Sequence, residues 1–184
     1  MSAGGVFHPS PPMHEAPLAV VVMGVSGCGK TSVGERLAQA LGATFIEGDA
    51  FHPPANIERM AAGIALTDAD RQGWLETLAA QLGTAVDARR SVVLGCSALK
   101  RRYRDTLRSG APGLHLVHLS GSRELLAARL AARRGHYMPA SLLDSQLASL
   151  EPPGPDEQAI TLDIAAATES LVQEALAQLR TPSP

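Results

Sequence analysis

The segment that most constrains the fold is GVSGCGKTS, residues 24–32, which directly follows the apolar run LAVVVM. The apolar run predicts a buried β-strand, and the helical spacing of Val33, Leu37 and Leu41 after the segment predicts an α-helix. A glycine-rich turn between a strand and a helix turns its backbone N–H groups inward at the positive end of the helix, where phosphate binds. A tight turn that matches the pattern by chance is the alternative, but strand, glycines, lysine, hydroxyl and helix all coincide here.

The same segment fits the pattern Gly-x-x-x-x-Gly-Lys-Thr of a phosphate-binding loop, or P-loop. Lys30 is expected to reach the β- and γ-phosphates of a nucleoside triphosphate, and Thr31 to offer its hydroxyl to Mg²⁺. We therefore predict that the chain binds ATP or GTP together with Mg²⁺. The predicted nucleotide-binding residues of the loop are Gly24, Val25, Ser26, Gly27, Cys28, Gly29, Lys30, Thr31 and Ser32.

Further apolar runs alternate with stretches of helical spacing, which is typical of an α/β domain with a parallel sheet. We predict five strands, at residues 18–23, 43–47, 91–95, 114–119 and 159–164. Each run has few polar interruptions, as expected where helices cover both faces of a sheet. A capping box at Thr67 and Asp70 predicts the start of one intervening helix, and Ser122 predicts the start of another.

Length and composition restrict the function further. A chain of 184 residues is long enough for one domain, which we expect at residues 17–181 behind a loose N-terminal tail of residues 1–16. No apolar stretch reaches the roughly 20 residues that span a bilayer, and the N-terminus lacks a signal-peptide pattern, so we expect a cytoplasmic protein with no membrane partner. The net charge of −2 gives no reason to expect a nucleic-acid partner.

Asp49 comes directly after the second predicted strand, in the segment EGDAFHP. In open α/β sheets ligands bind at the carboxyl ends of the strands, so we expect Asp49 to face the γ-phosphate. There a carboxylate can orient or deprotonate an acceptor hydroxyl and can help to hold Mg²⁺. The alternative is an aspartate that only caps the next turn. His52 and Arg59 follow on the same segment, where each alone is more often a solvated residue than a ligand.

The third predicted strand leads to Ser97, at the place where motor ATPases and GTPases carry the aspartate that holds Mg²⁺. This difference favours a kinase for a small metabolite. The basic run LKRRYR, residues 99–104, follows and begins a helix, so Lys100 and Arg104 can face an acceptor pocket, whereas the other two arginines fit a solvated helix face. The run contains a single interleaved aromatic residue, which disfavours nucleic-acid binding.

Arg129 and Arg133 are one helical turn apart in the segment RELLAARLAARRGHYMP. Arginines at this spacing are usually only solubilising. Because the segment ends in a glycine-containing turn, the alternative is a mobile lid, at about residues 121–155, that closes cations over the transferred phosphate. The residues alone leave both interpretations open.

Several segments together resemble the gluconokinase family of small P-loop kinases. They are MGVSGCGKTSVGERLA, EGDAFHPPANIERMAAGIALTDADRQGWL, CSALKRRYRDTLR, RRGHYMPASLLDSQLASLEPP and the DE that follows. The resemblance runs from about Leu18 to the last helix. It implies a three-layer P-loop NTPase fold with a five-stranded parallel sheet and a helical lid, similar to nucleoside-monophosphate kinases and shikimate kinase. It also implies ATP- and Mg²⁺-dependent phosphorylation of D-gluconate at its 6-hydroxyl, giving 6-phospho-D-gluconate.

The resemblance further implies roles for individual residues. It gives catalytic roles to Lys30, Asp49 and Arg133, the metal to Thr31 and Asp49, and a nucleotide contact to Arg129. The residues that it implies for the carboxylate and hydroxyls of gluconate, besides Asp49, are His52, Arg59, Arg71, Ser97, Lys100, Arg104 and His136.

Departures from the family pattern leave alternatives open. Ala69 and Gly73 stand where an acid and a proline are common, and they flank Arg71 in the expected substrate segment. A kinase for another small anionic acceptor, such as shikimate or a different sugar acid, therefore stays an alternative. A module that binds ATP without transferring phosphate is a second alternative, and a homodimer is also compatible with the sequence.

Overall fold

The computed structural model describes residues 16–133 and 140–180. Its centre is a sheet of five parallel strands in the order β2-β3-β1-β4-β5. The five predicted strands are confirmed, with ends shifted by at most one residue. The strands are β1 Ala19–Met23, β2 Thr44–Glu47, β3 Val92–Gly95, β4 His115–Ser120 and β5 Ile160–Asp163.

Helices cover both faces of this sheet. Along β1, Val20 and Val22 pack into a core with the helices at residues 30–41 and 168–180, whereas Val21 and Met23 pack into a second core with the helices at residues 68–87 and 101–110. The result is the predicted three-layer α/β architecture. Among the described residues, no helix combines the length and the apolar character that crossing a bilayer requires. The helices are α1 Lys30–Leu41, α2 Pro54–Ala61, α3 Asp68–Asp87, α4 Arg101–Gly110, α5 Arg123–Ala132, α6 Ala140–Ser149 and α7 Thr168–Arg180.

Two of the predicted helix starts depend on side-chain caps, and both caps form. Thr67 and Asp70 make a reciprocal capping box at the start of α3, in which each side chain accepts from the other residue's backbone N–H. Ser122 accepts from the N–H of Leu125 at the start of α5, at 3.2 Å. These caps satisfy backbone donors that the first turn of a helix leaves unpaired.

Helices α3 and α4 pack together without room for a side chain where they cross. A Cβ atom added at Gly110 of α4 would lie 2.0 Å from the carbonyl oxygen of Ala79 in α3. One added at Gly83 of α3 would lie 3.1 Å from the carbonyl oxygen of Gly110. Elements packed this closely do not slide past each other without disturbing both backbones. The two helices therefore form one block.

The chain between α6 and β5, residues 151–157, is bound along α4. The carboxylate of Glu151 accepts from the backbone N–H of Arg101 at 2.8 Å. Glu157, whose side chain is 1 % exposed, accepts from Nε and Nη2 of Arg104, each at 2.7 Å. The hydrogen bonds from Arg104 hold the pKa of Glu157 at about 2, although burial opposes this. The segment is thus fixed to the α3–α4 block.

Candidate active site

The P-loop connects the carboxyl end of β1, at the centre of the sheet, to the first turn of α1. Gly24, Gly27 and Gly29 have φ angles of 145°, 86° and 94°, which L side chains rarely adopt. A Cβ atom at Gly24 would also lie 2.7 Å from the carbonyl oxygen of Leu119 in β4. The loop conformation therefore requires glycine, and it ends at the positive end of α1.

The first two residues of α1 carry the polar side chains of the loop. Nζ of Lys30 donates to the carbonyl oxygens of Gly24 and Val25, at 3.1 and 3.2 Å. Oγ1 of Thr31 donates to Oε2 of Glu47 at 2.6 Å. Because Glu47 is the last residue of β2, this bond joins the P-loop to the end of the edge strand.

Asp49 lies in a short 3₁₀ turn, Gly48–Phe51, that begins immediately after β2. Its side chain is 70 % exposed and lines a cavity at the sheet edge where the P-loop also lies. Glu47, two residues earlier, is the carboxylate that the sequence analysis did not select. Its signal was present in the segment EGD, where two carboxylates follow each other at the end of a strand.

The cavity that Asp49 lines has a volume of about 460 Å³. Its other charged lining residues are Arg71 of α3 and Arg133, which directly follows α5. Gln146 of α6 also lines this cavity, and its side chain hydrogen-bonds to Ser26 of the P-loop. One carboxylate and two guanidinium groups, brought from separate elements, therefore face the same space. A cavity of this size accommodates a small organic molecule.

A smaller cavity of about 200 Å³ shares Arg71 with the larger one and adds Lys100, Tyr103 and Asp68. Nζ of Lys100 donates to Asp68 at 2.9 Å, and the Tyr103 hydroxyl donates to the same carboxylate. These hydrogen bonds, with that of Tyr103 first, lower the pKa of Asp68. Burial and then the bond to Asp68 raise the pKa of Tyr103 to about 12, so its hydroxyl stays protonated. The smaller cavity thus contains two cations and one carboxylate, and that carboxylate accepts from both Lys100 and the Tyr103 hydroxyl.

His52 is turned inward, and its ring is not among the lining residues of either cavity. Its side chain is 3 % exposed. The ring stacks on Trp74 with ring centres 4.0 Å apart and planes inclined by 18°. Nε2 lies 3.8 Å from Oδ1 of Asp49. Burial lowers the pKa of His52; the carboxylate of Asp49 opposes this change and the charge of Arg71 adds to it. His52 therefore faces Asp49 instead of the cavity.

Arg104, expected as a substrate contact, makes its hydrogen bonds in the structure to protein groups. Its side chain is 1 % exposed. The guanidinium binds Glu157, and its Nη1 donates to the carbonyl oxygens of Ala98 and Leu99 at 3.0 and 3.3 Å. Arg104 is not a lining residue of either cavity, and its bonds to Glu157 anchor residues 151–157.

Other expected ligands take different places. Arg59 lies 3.6 Å from a carboxylate oxygen of Asp70 and is not a lining residue of the two cavities. The carbonyl oxygen of Ser97 accepts from the N–H of Gly24 at 3.2 Å, so Ser97 supports the P-loop through its backbone. His136 lies outside the described residues.

Arg129 lies in α5 and Arg133 directly follows it, and the two side chains have different neighbours. Nη2 of Arg129 donates to the carbonyl oxygen of Ile164, between β5 and α7, at 2.5 Å. Arg133 lines the larger cavity. Part of the expected lid, residues 134–139, lies outside the described residues. The far part of that lid, from residue 151, is held on α4 by Glu151 and Glu157.

Comparison with known proteins places this geometry in a family. A family model described as an AAA domain matches residues 20–153. A gluconokinase from Gluconobacter oxydans (strain 621H) is 55 % identical over 144 residues, which cover 78 % of this chain and 81 % of that protein. The chain belongs to the gluconokinase family. The resemblance expected from the sequence is therefore confirmed.

Further members of the gluconokinase family agree. The thermosensitive gluconokinase of Escherichia coli (strain K12) is 44 % identical over 162 residues, covering 85 % of this chain and 87 % of that one. The crystal structure of a gluconokinase from Sinorhizobium meliloti 1021 has a TM-score of 0.82 and 52 % identity, covering 89 % and 91 % of the two chains. An APS kinase from Mycobacterium tuberculosis, at 19 % identity and a TM-score of 0.67 over 90 % and 99 % of the chains, shares the fold.

The oxygen donors at the P-loop of this gluconokinase-family chain fit a Mg²⁺ ion. Mg²⁺ binds through one or two carboxylates together with substrate phosphates and waters. The hydroxyl of Thr31 and the carboxylate of Glu47 are in contact, and Asp49 follows two residues later. Within residues 16–133 and 140–180, no three His, Cys, Asp or Glu side chains group so as to hold a metal by themselves. The donor set therefore fits an ion that shares its ligands with a phosphate.

Proposed function

We propose that the chain transfers the γ-phosphoryl group of ATP to the 6-hydroxyl of D-gluconate, giving 6-phospho-D-gluconate and ADP. The observation that carries this proposal is the cavity that Asp49, Arg71 and Arg133 line together, whose wall is bonded to the P-loop. A carboxylate that can take a proton and cations that can hold an acid face the same space. The names of the relatives, which are gluconokinases, support gluconate as that acid.

The P-loop, residues 24–32, holds the phosphates of ATP in this proposal. Its backbone N–H groups and the N-terminus of α1 supply partial positive charge, and Lys30 supplies a full charge. Arg129, bonded to Ile164 next to the connection into α7, is proposed to contact the nucleotide. When bound, MgATP supplies the phosphoryl group, with Mg²⁺ neutralising the charge on its oxygens.

Thr31 and Asp49 are proposed as metal-binding residues, and we propose Glu47 with them because of its contact with Thr31. The hydrogen bond from Thr31 fixes the carboxylate of Glu47 beside the loop. A carboxylate held there can bind the ion directly or through one of its waters. Glu47 supplies the negative charge that a motor ATPase takes from the end of its third strand, where this chain has Ser97.

Asp49 orients the acceptor hydroxyl and takes its proton on a carboxylate oxygen as the new bond to phosphorus forms. Arg71 and Lys100, which line the smaller cavity, are proposed to hold the carboxylate of gluconate. Arg133 stabilises the negative charge of the transferred phosphoryl group. The larger cavity then holds the sugar chain between the carboxylate site and Asp49. This placement brings the acceptor hydroxyl to Asp49 and excludes water.

The proposal is tested by coupled ADP release with D-gluconate, other sugar acids and shikimate in parallel. We expect ADP release that depends on gluconate. In Asp49→Asn the rate should fall by about 10²- to 10⁴-fold, the usual contribution of a positioned base, while ATP binding is retained. Asp87→Asn, at the exposed end of α3, is the matched control and should behave as the unaltered protein.

Two outcomes would reject the proposal. ADP release with shikimate or another acid, but not with gluconate, would favour a kinase for another small anionic acceptor. ATP binding with no acceptor-dependent ADP release would favour a module that binds nucleotide without transferring phosphate.

A further inference from the structure

The buried ring of His52 is held by a stacking contact on one face and lies near Asn56 and Asp49 at its two nitrogens. One face stacks on Trp74, and the indole Nε1–H of Trp74 donates to the carbonyl oxygen of Gly48 at 2.8 Å. Gly48 directly precedes Asp49 in the 3₁₀ turn. The side chain of Trp74 therefore fixes both the histidine ring and the turn that carries Asp49.

Asn56 lies beside one ring nitrogen of His52 and favours one tautomer of the ring. Nδ2 of Asn56 donates to the carbonyl oxygen of Asp70 at 2.8 Å, and a carbonyl oxygen can only accept, so the orientation of the amide is fixed. The same Nδ2 lies 3.5 Å from Nδ1 of His52. Because Nδ2 is a donor, this contact favours the neutral tautomer in which Nδ1 accepts and Nε2 carries the proton.

Nε2 of His52 is the ring atom that faces Asp49, at 3.8 Å from Oδ1. This distance is longer than a hydrogen bond, but hydrogen bonds of catalytic groups often tighten only when substrate is bound. The side chain of Asp49 is 70 % exposed and that of His52 is 3 % exposed. The carboxylate can therefore move to the ring, whereas the ring stays in place.

We propose that His52 is a positioning residue for Asp49: its Nε2–H holds one carboxylate oxygen so that the other faces the acceptor hydroxyl. This inference rests on the proposed function, in which Asp49 takes the proton of that hydroxyl. It is an alternative to the direct gluconate contact that the family resemblance implies for His52. The arrangement explains a buried histidine whose donor nitrogen faces an exposed carboxylate beside the cavity.

The test uses His52→Gln, His52→Asn and His52→Leu. A glutamine amide nitrogen can take the place of Nε2, whereas an asparagine amide ends near Nδ1, and leucine has no donor. We expect kcat to fall by about 10- to 100-fold in the leucine and asparagine variants, with KM for gluconate and ATP within about twofold. The variant His52→Gln should keep most of the kcat of the unaltered protein. Thermal unfolding of all three variants identifies any loss of fold.

Non-additivity separates positioning from a structural role. If His52 acts through Asp49, adding His52→Leu to Asp49→Asn should lower kcat no further than Asp49→Asn alone. A rise in KM for gluconate with kcat unchanged would overturn the inference in favour of direct substrate contact. Equal losses in the glutamine and asparagine variants, or additive losses in the double variant, would overturn it in favour of packing alone.

The same series distinguishes failure of the inference from failure of the proposed function. If Asp49→Asn loses turnover and His52→Leu does not, only the role of His52 is rejected. If Asp49→Asn keeps nearly normal turnover with gluconate, the proposed role of Asp49 is rejected, and the role of His52 with it.

Discussion

Gln146 of α6 and Ser26 of the P-loop are joined by two hydrogen bonds through a single side-chain amide. Oε1 of Gln146 accepts from the backbone N–H of Ser26 at 2.7 Å, and Nε2 donates to the Ser26 hydroxyl oxygen at 3.1 Å. Gln146 also lines the cavity that contains Asp49. One wall of the proposed acceptor site is therefore bonded directly to the loop proposed to hold the phosphates, so the two reactants are placed relative to each other.

Removing this amide should reduce turnover more than nucleotide binding. In Gln146→Ala we expect kcat with gluconate to fall by about 10- to 100-fold, because small displacements of reacting groups are costly, while the Kd for ATP changes little. Gln146→Glu should lose more, because a carboxylate cannot donate to Ser26 and adds negative charge beside the P-loop. Steady-state kinetics and ATP titration measure the two effects.

The control for this pair is Gln178→Ala, since Gln178 is exposed on α7, donates to Glu174 of the same helix and lines neither cavity. It should leave both quantities unchanged. An unaltered kcat in Gln146→Ala would mean that the contact does not position the acceptor.

Glu47→Gln should raise the Mg²⁺ concentration that gives half-maximal activity. Glutamine keeps an oxygen that can accept from Thr31, so the contact with the P-loop survives, but the charge that attracts the ion is lost. A Mg²⁺ titration at saturating ATP and gluconate gives the shift. Glu76→Gln, on the exposed side of α3, should not shift it. The same Mg²⁺ dependence in both variants would remove Glu47 from the metal site.

Arg133→Ala and Arg129→Ala should affect different kinetic constants. Arg133 lines the cavity and is proposed to stabilise charge that develops during transfer, so its loss should lower kcat much more than it raises KM for ATP. Arg129 binds the carbonyl oxygen of Ile164, away from Asp49, so its loss should appear mainly in KM for ATP. The opposite pattern in steady-state kinetics would exchange the two roles.

Glu157→Gln should strongly destabilise the fold. It removes the charge that compensates the buried guanidinium of Arg104, a change that typically costs about 3–5 kcal/mol. Asp156→Asn is the matched control, because Asp156 pairs with Arg101 at the surface, where an ion pair contributes at most about 1 kcal/mol. The free energy of unfolding in urea measures both. Equal and small losses would contradict the assigned anchoring role.

Glu157 also predicts a pH dependence of stability. Its pKa in the folded protein is about 2, below the ordinary 4.5. The carboxylate therefore contributes stability that is fully present above pH 4.5 and is lost as the pH falls towards 2. In Glu157→Gln this part of the loss of stability at low pH should be absent. Urea unfolding measured between pH 4.5 and pH 2 detects the difference.

The features that sequence analysis predicted correctly are those with local signals. The P-loop, the strands and the caps at Thr67 and Ser122 each depend on residues within a few positions of one another. Local signals do not distinguish Lys100 from Arg104. Both belong to one basic run, but of these two only Lys100 lines a cavity. Arg104 binds Glu157 instead, which is 53 positions away in the sequence.

Long-range contacts account for the other differences. His52 faces inward because Trp74 lies under its ring, and Gln146 reaches Ser26 across 120 positions. Nothing in the neighbouring residues of either side chain indicates these partners. Glu47 is a different case, since the segment EGD marks it as a carboxylate at a strand end, whereas its contact with Thr31, 16 positions away, has no local signal.

The crossing of α3 and α4 at Gly110 has a consequence for substrate range. Because the helices cannot slide there, the spacing between Arg71, in α3, and Lys100, immediately before α4, is a fixed length. An acid of a different chain length has to be accommodated by the other lining elements of the larger cavity, to which α2 and α6 contribute most residues. Evolution towards a new acceptor should therefore begin in those two helices, leaving the α3–α4 block unchanged.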